Sequence, residues 1–137
     1  MLSLGALYAE VYIPAEGARG NDYGLSCVVS LGDYDLLVTG DLSQKAERSL
    51  LARWPLSDLE LFVVGHHGSK YSNSDVLLES IGADTAVISS GYNTYGHPAP
   101  ETLERLAEHG YTILRTDEIG TIEIRVGQND GKEKRSG

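Results

Sequence analysis

Cysteine is nearly absent: Cys27 is the only one in 137 residues. That excludes an internal disulfide framework and any cysteine-built zinc site. No run of about 18 apolar residues occurs, so no transmembrane helix is expected. The opening stretch, MLSLGALYAEVYIP, has no basic n-region and carries Glu10 early, which does not read as a signal peptide. Basic residues are scarce as well. Eleven Lys and Arg against twenty Asp and Glu leave a net charge of −9, and a chain so acidic is not built to grip nucleic acid with its whole surface. A local site where bound cations reverse the sign remains compatible with that balance. What is present is the composition of a folded domain. Apolar residues make up 41%, and the length suits one domain with one core. Residues 1–126 are expected to form a single folded unit. Residues 127–137, GQNDGKEKRSG, carry no apolar side chain and are expected to be a disordered tail.

The hydrophobic rhythm changes along the chain. Leu7, Ala9, Val11 and Ile13 alternate with Tyr8, Glu10 and Tyr12, a strand pattern. Residues 14–24, rich in Gly, Pro and Asn, read as a loop. Leu25, Cys27, Val29 and Leu31 alternate again, and Gly32-Asp33 separates them from a β-rich run, Tyr34 to Thr39, which predicts a tight hairpin. Strands and helices then take turns. Ser43 can cap a helix carrying Ala46, Leu50 and Trp54. Leu59 to Val64 is a short, almost wholly apolar strand. Ser74 can cap a helix with Leu77, Leu78 and Ile81 inward, ended by Gly82. Thr85 to Ser89 is the next strand. Pro100 suits the first turn of a helix with Leu103, Leu106 and Ala107 inward; Glu101 and Arg105 form a spacing-four pair on its wet side, and Gly110 ends it. Tyr111 to Arg115 and Thr121 to Val126 are expected to be closing strands. The middle therefore predicts a parallel βαβαβ unit, flanked by antiparallel strands in the same sheet.

Three strands of that unit end in polar, glycine-bearing loops: LLVT runs into Gly40-Asp41, LFVV into Gly65-His66-His67-Gly68-Ser69, and AVISS into Gly91 and then Asn93-Thr94-Tyr95-Gly96-His97-Pro98. Carboxyl ends of parallel strands share one edge, the edge where open α/β sheets bind ligands. Asp41, His66, His67, Ser69 and His97 are therefore expected to converge. Gly-Asp at a strand end is most often a turn or a cap. Two adjacent imidazoles between glycines are harder to explain as core, because neighbouring side chains at a strand end point to different sides. His97, before a proline, fits either a structural hydrogen bond or a site role. His109, late in a helix, suits the helix C-terminus. Carboxylate plus imidazole is a ligand set for zinc, manganese or iron. A histidine outside that set can donate a proton to a leaving group or stabilise developing charge, and Ser69 can donate to a phosphate oxygen. The competing reading is a non-catalytic anion site built on the backbone N–H groups of Gly68-Ser69. A serine hydrolase is poorly supported, since no G-x-S-x-G occurs.

Taken together and in order, Asn21-Asp22 with Ser26, LLVTGDLS with Glu47, VVGHHGSKYSNS, ISSGYNTYGHP and RTDEIGTIEI resemble the ComEC family of DNA-uptake proteins, specifically the C-terminal half of its metallo-β-lactamase-like domain. The resemblance covers roughly residues 20–126, and HHGS paired with N-x-Y-G-H-P is its most specific part. It implies an α/β fold, a metallo-β-lactamase-like αββα sandwich of which this chain is half, with a divalent metal site, zinc or manganese, at the sheet edge. It implies a nuclease that degrades one strand of incoming DNA, single strand or duplex end, while the other crosses the membrane channel of the same protein, on the extracytoplasmic side of the cell membrane. By motif, Asp41 matches the metal-bridging aspartate. His66 and His67 match the late histidine pair, with His67 expected as the metal ligand and His66 near the phosphate. His97 matches a further active-site histidine.

One departure matters. The H-x-H-x-D-H motif of such hydrolases is missing, and the first histidine is His66. Either the chain is a C-terminal fragment of a longer enzyme, inactive by itself for want of first-site ligands and with the N-terminal half of the domain as its partner, or it has lost the chemistry; the intact late motifs favour the fragment. A half-sandwich would leave one apolar sheet face uncovered, so self-association, a dimer for instance, is also expected. Two other readings stand beside this one: part of a soluble hydrolase of the same fold acting on another phosphodiester, and a non-catalytic phosphate- or DNA-binding module.

Overall fold

The computed structural model describes residues 2–127. Its centre is one seven-stranded mixed sheet whose strands lie side by side in chain order: β1 (Leu2–Leu4), β2 (Leu7–Tyr12), β3 (Ser26–Leu31), β4 (Tyr34–Val38), β5 (Leu61–Val63), β6 (Thr85–Ile88) and β7 (Thr112–Arg115). β1 to β4 pair antiparallel, and β4 to β7 pair parallel. The crossovers between parallel strands carry α1 (Gln44–Arg53), α2 (Asp75–Ile81) and α3 (Pro100–Glu108). A single helical turn, α4 (Thr116–Ile119), follows β7. The α/β character and the parallel unit agree with the sequence pattern.

The local signals act as expected at the helix starts. The Ser43 hydroxyl accepts the Ala46 N–H, and Ser74 accepts the Leu77 N–H, each replacing a partner that the first helical turn lacks. Gly82 ends α2 in the left-handed region, where a side chain would be strained. The Gly32-Asp33 turn joins β3 and β4 with Leu31 opposite Tyr34.

Adjacent in register on one face stand Val28, Leu37, Phe62 and Ala86. They meet Leu50 of α1, Leu77, Leu78 and Ile81 of α2 and Leu106 of α3 in a single core. The opposite face is apolar but poorly covered across β2–β4. Leu7, Val11 and Leu31 are 38%, 40% and 37% exposed, and Ala9, Cys27, Val29, Leu36 and Val38 are half-buried. The alternation of Leu7, Ala9 and Val11 thus marks the open face, while Tyr12, 5% exposed, turns to the core and stacks on Trp54 at 4.9 Å.

Three expectations are corrected. Residues 2–4 form an additional edge strand, joined to β2 through Gly5 at φ +60; three exposed residues give too short a pattern to read. Thr121 to Val126 is not a strand, although its side chains alternate between half-buried and exposed, because no described strand pairs with it. Glu101 and Arg105 do not pair with each other: Glu101 meets Lys70, and Arg105 reaches Asp75 on α2. The tail expected at 127–137 lies, from residue 128 onward, outside the described residues.

Candidate functional site

Each candidate side chain leaves from the carboxyl end of β4, β5 or β6, and backbone bonds draw the three ends together. The His66 N–H donates to the Gly40 carbonyl at 2.9 Å, which sets the loop after β5 beside Asp41. The Ala99 N–H donates to the Gly68 carbonyl at 3.0 Å, which brings the loop after β6 onto the same turn. Gly68 is required there. A Cβ at that position would lie 2.6 Å from Cβ and 2.8 Å from Cα of Pro98, well inside van der Waals contact. The close approach sets the rings of His66 and His97 edge to face, with centroids 5.6 Å apart. Asp41 and His66 line one pocket of about 240 Å³ together with Asp22 and Arg19.

Both histidines of the turn lie in the left-handed region, His66 at φ 50, ψ 44 and His67 at φ 54, ψ 27. Each non-glycine residue there costs about 1–2 kcal/mol, and two in succession persist only where the surroundings impose them. The left-handed turn sends the two rings to different places. His66 faces Asp41's pocket and His97. His67 is exposed, and its Nδ1 sits 2.7 Å from the Ser89 carbonyl oxygen. A carbonyl accepts only, so Nδ1 donates to it, and Nε2 is the ring nitrogen left to face a metal.

A buried network imposes the turn. The side chain of Asn73 accepts the Gly65 N–H through Oδ1 at 2.7 Å and donates through Nδ2 to the carbonyls of Gly65 and Ser69 at 2.9 and 3.2 Å. Asn73 is held in turn by Glu47 of α1, whose carboxylate is fully buried and accepts the N–H groups of Asn73 and Ser74 at 2.6 and 2.8 Å. Burial pushes the Glu47 carboxyl up, and these hydrogen bonds oppose the rise. Arg105 reaches the same segment from α3, donating to the carbonyls of Ser72 and Asn73. Asp22 closes the other side, accepting from the backbone N–H and the hydroxyl of Ser43 at 2.8 and 2.9 Å.

The expected site residues fall into two groups. Asp41 shares a pocket with His66, the His66 ring meets that of His97, and His67 leaves the same turn toward the Ser89 carbonyl. Ser69 is 2% exposed, and its hydroxyl accepts the Tyr71 N–H, so it holds the loop from within. His109 lies outside the site, 2.9 Å from Asp75. Partial burial, with His66 and His67 nearby, holds His97 below the ordinary histidine range, so its ring is neutral at neutral pH. Glu47 and Asn73 were present in the motifs without an assigned role; a buried carboxylate facing a helix N-terminus has no mark in the sequence beyond the residue itself.

The donor types suit zinc or manganese. Among the described residues, however, no three His, Cys, Asp or Glu side chains converge closely enough to hold a metal ion. Alone, therefore, these residues do not make a complete metal site. No described helix is long and apolar enough to cross a membrane.

No family model matches the chain. It is 40% identical over 126 residues to "Competence protein ComA" of Neisseria gonorrhoeae, covering 89% of this chain and 18% of that protein. It is 35% identical over 109 residues to "ComE operon protein 3" of Bacillus subtilis, 79% of this chain and 14% of that protein. It is 32% identical over 126 residues to "Recombination protein 2" of Haemophilus influenzae, 90% of this chain and 16% of that protein. The chain thus spans less than a fifth of the length of these curated relatives, and they support a place among the ComEC-family competence proteins.

Proposed function

We propose that this chain supplies half of the catalytic site of a metal-dependent phosphodiesterase that degrades one DNA strand during natural transformation. The observation that carries the reading is the strained His66-His67 turn at the ligand-binding edge of the sheet, beside Asp41 and His97. Strain of this kind is retained where function needs it, and the similarity to competence proteins supports DNA as the substrate class. In this reading the chain is the C-terminal half of a metallo-β-lactamase-like sandwich. The open apolar face of β2–β4 is covered by the N-terminal half, and the domain stands at the cell membrane beside the channel of the same protein, on its extracytoplasmic side.

The chain's own residues then divide the work. Asp41 and His67 are the donors offered to zinc or manganese, completed by ligands from the other half. His97, kept neutral by its surroundings, can take a proton at neutral pH, and His66 stands against it next to Asp41's pocket. Together they can move a proton at the phosphodiester oxygens. Asn73 and Glu47 hold the turn that aims both histidines.

The test is metal binding by the purified chain and strand cleavage by the longer polypeptide. Zinc or manganese binding by the chain is expected to be weak and to be lost in Asp41→Ala and His67→Ala. Cleavage of a labelled single strand by the longer polypeptide is expected to need the metal and to be lost in Asp41→Ala and His66→Ala. Cleavage that survives both substitutions, or that proceeds unchanged in a chelator, overturns the reading. DNA binding that persists in the chelator without cleavage would favour the non-catalytic module.

A further inference from the structure

The distribution of positive charge in this acidic chain is uneven. Among the described residues, Lys70, Arg105, Arg115 and Arg125 are each paired with a carboxylate. Arg19, Lys45, Arg48 and Arg53 have no carboxylate partner. Three of these four, Arg19, Lys45 and Arg53, line a single cleft between the 14–24 loop and α1. The cleft holds about 520 Å³, the size of a small-ligand site. Its wall is apolar where Tyr12 and Leu50 face it. Its own acids are Glu16 and Asp22, and Asp22 is committed to the Ser43 N–H and hydroxyl. Arg53 is held in place, its Nη1 donating to the Ile13 carbonyl at 3.0 Å and its guanidinium lying 4.4 Å from the centre of the Trp54 ring. In a chain of net charge −9, this is a local reversal of sign. The cleft opens next to the candidate site, because Arg19 and Asp22 line both it and the pocket of Asp41 and His66.

From this geometry we infer that the cleft is a strand-holding subsite: it takes the sugar–phosphate backbone of single-stranded DNA flanking the phosphodiester presented to Asp41 and His66. Arg19, Lys45 and Arg53 hold successive phosphates, and the apolar wall accepts the sugar or base without selecting a sequence. The inference rests on the DNA-directed reading above and adds where the strand lies. It also reconciles the acidic chain with an anionic substrate: the cations are few, but their position sets the strand's path.

The experiment is binding of a fluorescein-labelled oligothymidylate to the whole chain in a chelator, across a range of salt, so that metal and cleavage play no part. Three phosphate contacts on a single strand give a slope of about −2 in log K against log salt. Arg19→Gln/Lys45→Gln/Arg53→Gln is expected to flatten the slope and to weaken binding about tenfold or more at low salt. Arg48→Gln, a free cation outside the cleft, is expected to leave binding within about twofold. Because Arg53 also ties the Ile13 backbone, Arg19→Gln/Lys45→Gln keeps that tie and should still lose about two-thirds of the slope. Three results overturn the inference: no binding by the wild-type chain at low salt, equal losses from Arg48→Gln and the cleft variants, or cleft variants that bind like wild type. The proposed function fails separately. If the longer polypeptide does not cleave DNA while the cleft dependence remains, the catalytic reading falls and the subsite stands; if cleavage is metal-dependent but indifferent to the cleft residues, the subsite falls alone.

Discussion

Glu47 accepts the backbone N–H of Asn73 at 2.6 Å with a carboxylate wholly removed from solvent, and through Asn73 this one contact reaches the histidine turn. Asn73 passes the constraint on by satisfying both the N–H and the carbonyl of Gly65, the residue before His66. A buried carboxylate left without partners would be costly. Here both oxygens receive backbone N–H groups, from Asn73 and Ser74, so α1, the start of α2 and the turn after β5 are fixed as one piece.

Glu47→Gln tests that linkage. An amide presents one oxygen where the carboxylate presents two, so either the Asn73 or the Ser74 N–H loses its acceptor and faces an NH₂ group. A buried unsatisfied donor costs about 1–3 kcal/mol. The expected result is a loss of stability of that size in denaturant unfolding, with weaker metal binding by His67 although Glu47 reaches no ligand. Unchanged stability would mean that Glu47 does not hold the turn.

His66→Gly should act in the opposite direction on stability. Glycine adopts the left-handed region freely, and His66 sits there at φ 50, ψ 44. Removing the strain is expected to stabilise the fold by about 1 kcal/mol, a rise in Tm of about 4 °C. The same substitution removes the ring that faces His97 and Asp41's pocket, so cleavage by the longer polypeptide should be lost. Gain of stability with loss of activity is the mark of a strained functional turn; a destabilised variant would argue that the ring is structural.

Gly68→Ala probes the joint between the loops after β5 and β6. The added Cβ meets Pro98 at 2.6 Å, with φ at +87. Steric overlap and the left-handed backbone together are expected to cost about 3 kcal/mol. Because the Ala99 N–H bond to the Gly68 carbonyl must shift as well, the His97 loop should move away from His66. Thermal unfolding reads the first effect, and a change in the His97 side-chain NMR signals reads the second.

Much of the fold was legible because its signals are local. Short apolar runs such as Leu61–Val63, serine caps at 43 and 74, and a glycine at 82 each act within a few residues, and each does so in the structure. That the loops carrying Asp41, His66 and His97 leave the same sheet edge was legible because parallel strands place their carboxyl ends together whatever the side chains between them. What escaped depends on distant partners. Thr121 to Val126 alternates like a strand, but alternation supplies no neighbour to pair with. Glu101 and Arg105 have helical spacing, but Lys70 and Asp75 compete for them across elements. Glu47 reads as one more polar residue of α1, and only the position of α2 makes it the holder of Asn73.

Tyr111 offers a test of the core with a defined pH dependence. Its hydroxyl donates to the Leu78 carbonyl at 2.6 Å and accepts the Ala83 N–H at 3.4 Å, so it clamps the end of α2 to the start of β7. Tyr111→Phe leaves Leu78 with the Gly82 N–H but strips the buried Ala83 N–H of that acceptor, at a cost of about 1–3 kcal/mol. Burial pushes the Tyr111 hydroxyl from 10.0 up to about 12. A group whose pKa is raised on folding stabilises fully below its unfolded value and loses that contribution as pH rises through the folded one. The stability difference between wild type and Tyr111→Phe is therefore expected to be constant up to about pH 10 and to shrink as pH approaches about 12. Tyr12, also raised to about 12, is present in both proteins and cancels in the difference. Urea unfolding at a series of alkaline pH values measures it, and a difference that stays constant through that window would mean that the Tyr111 proton is not what holds α2 to β7.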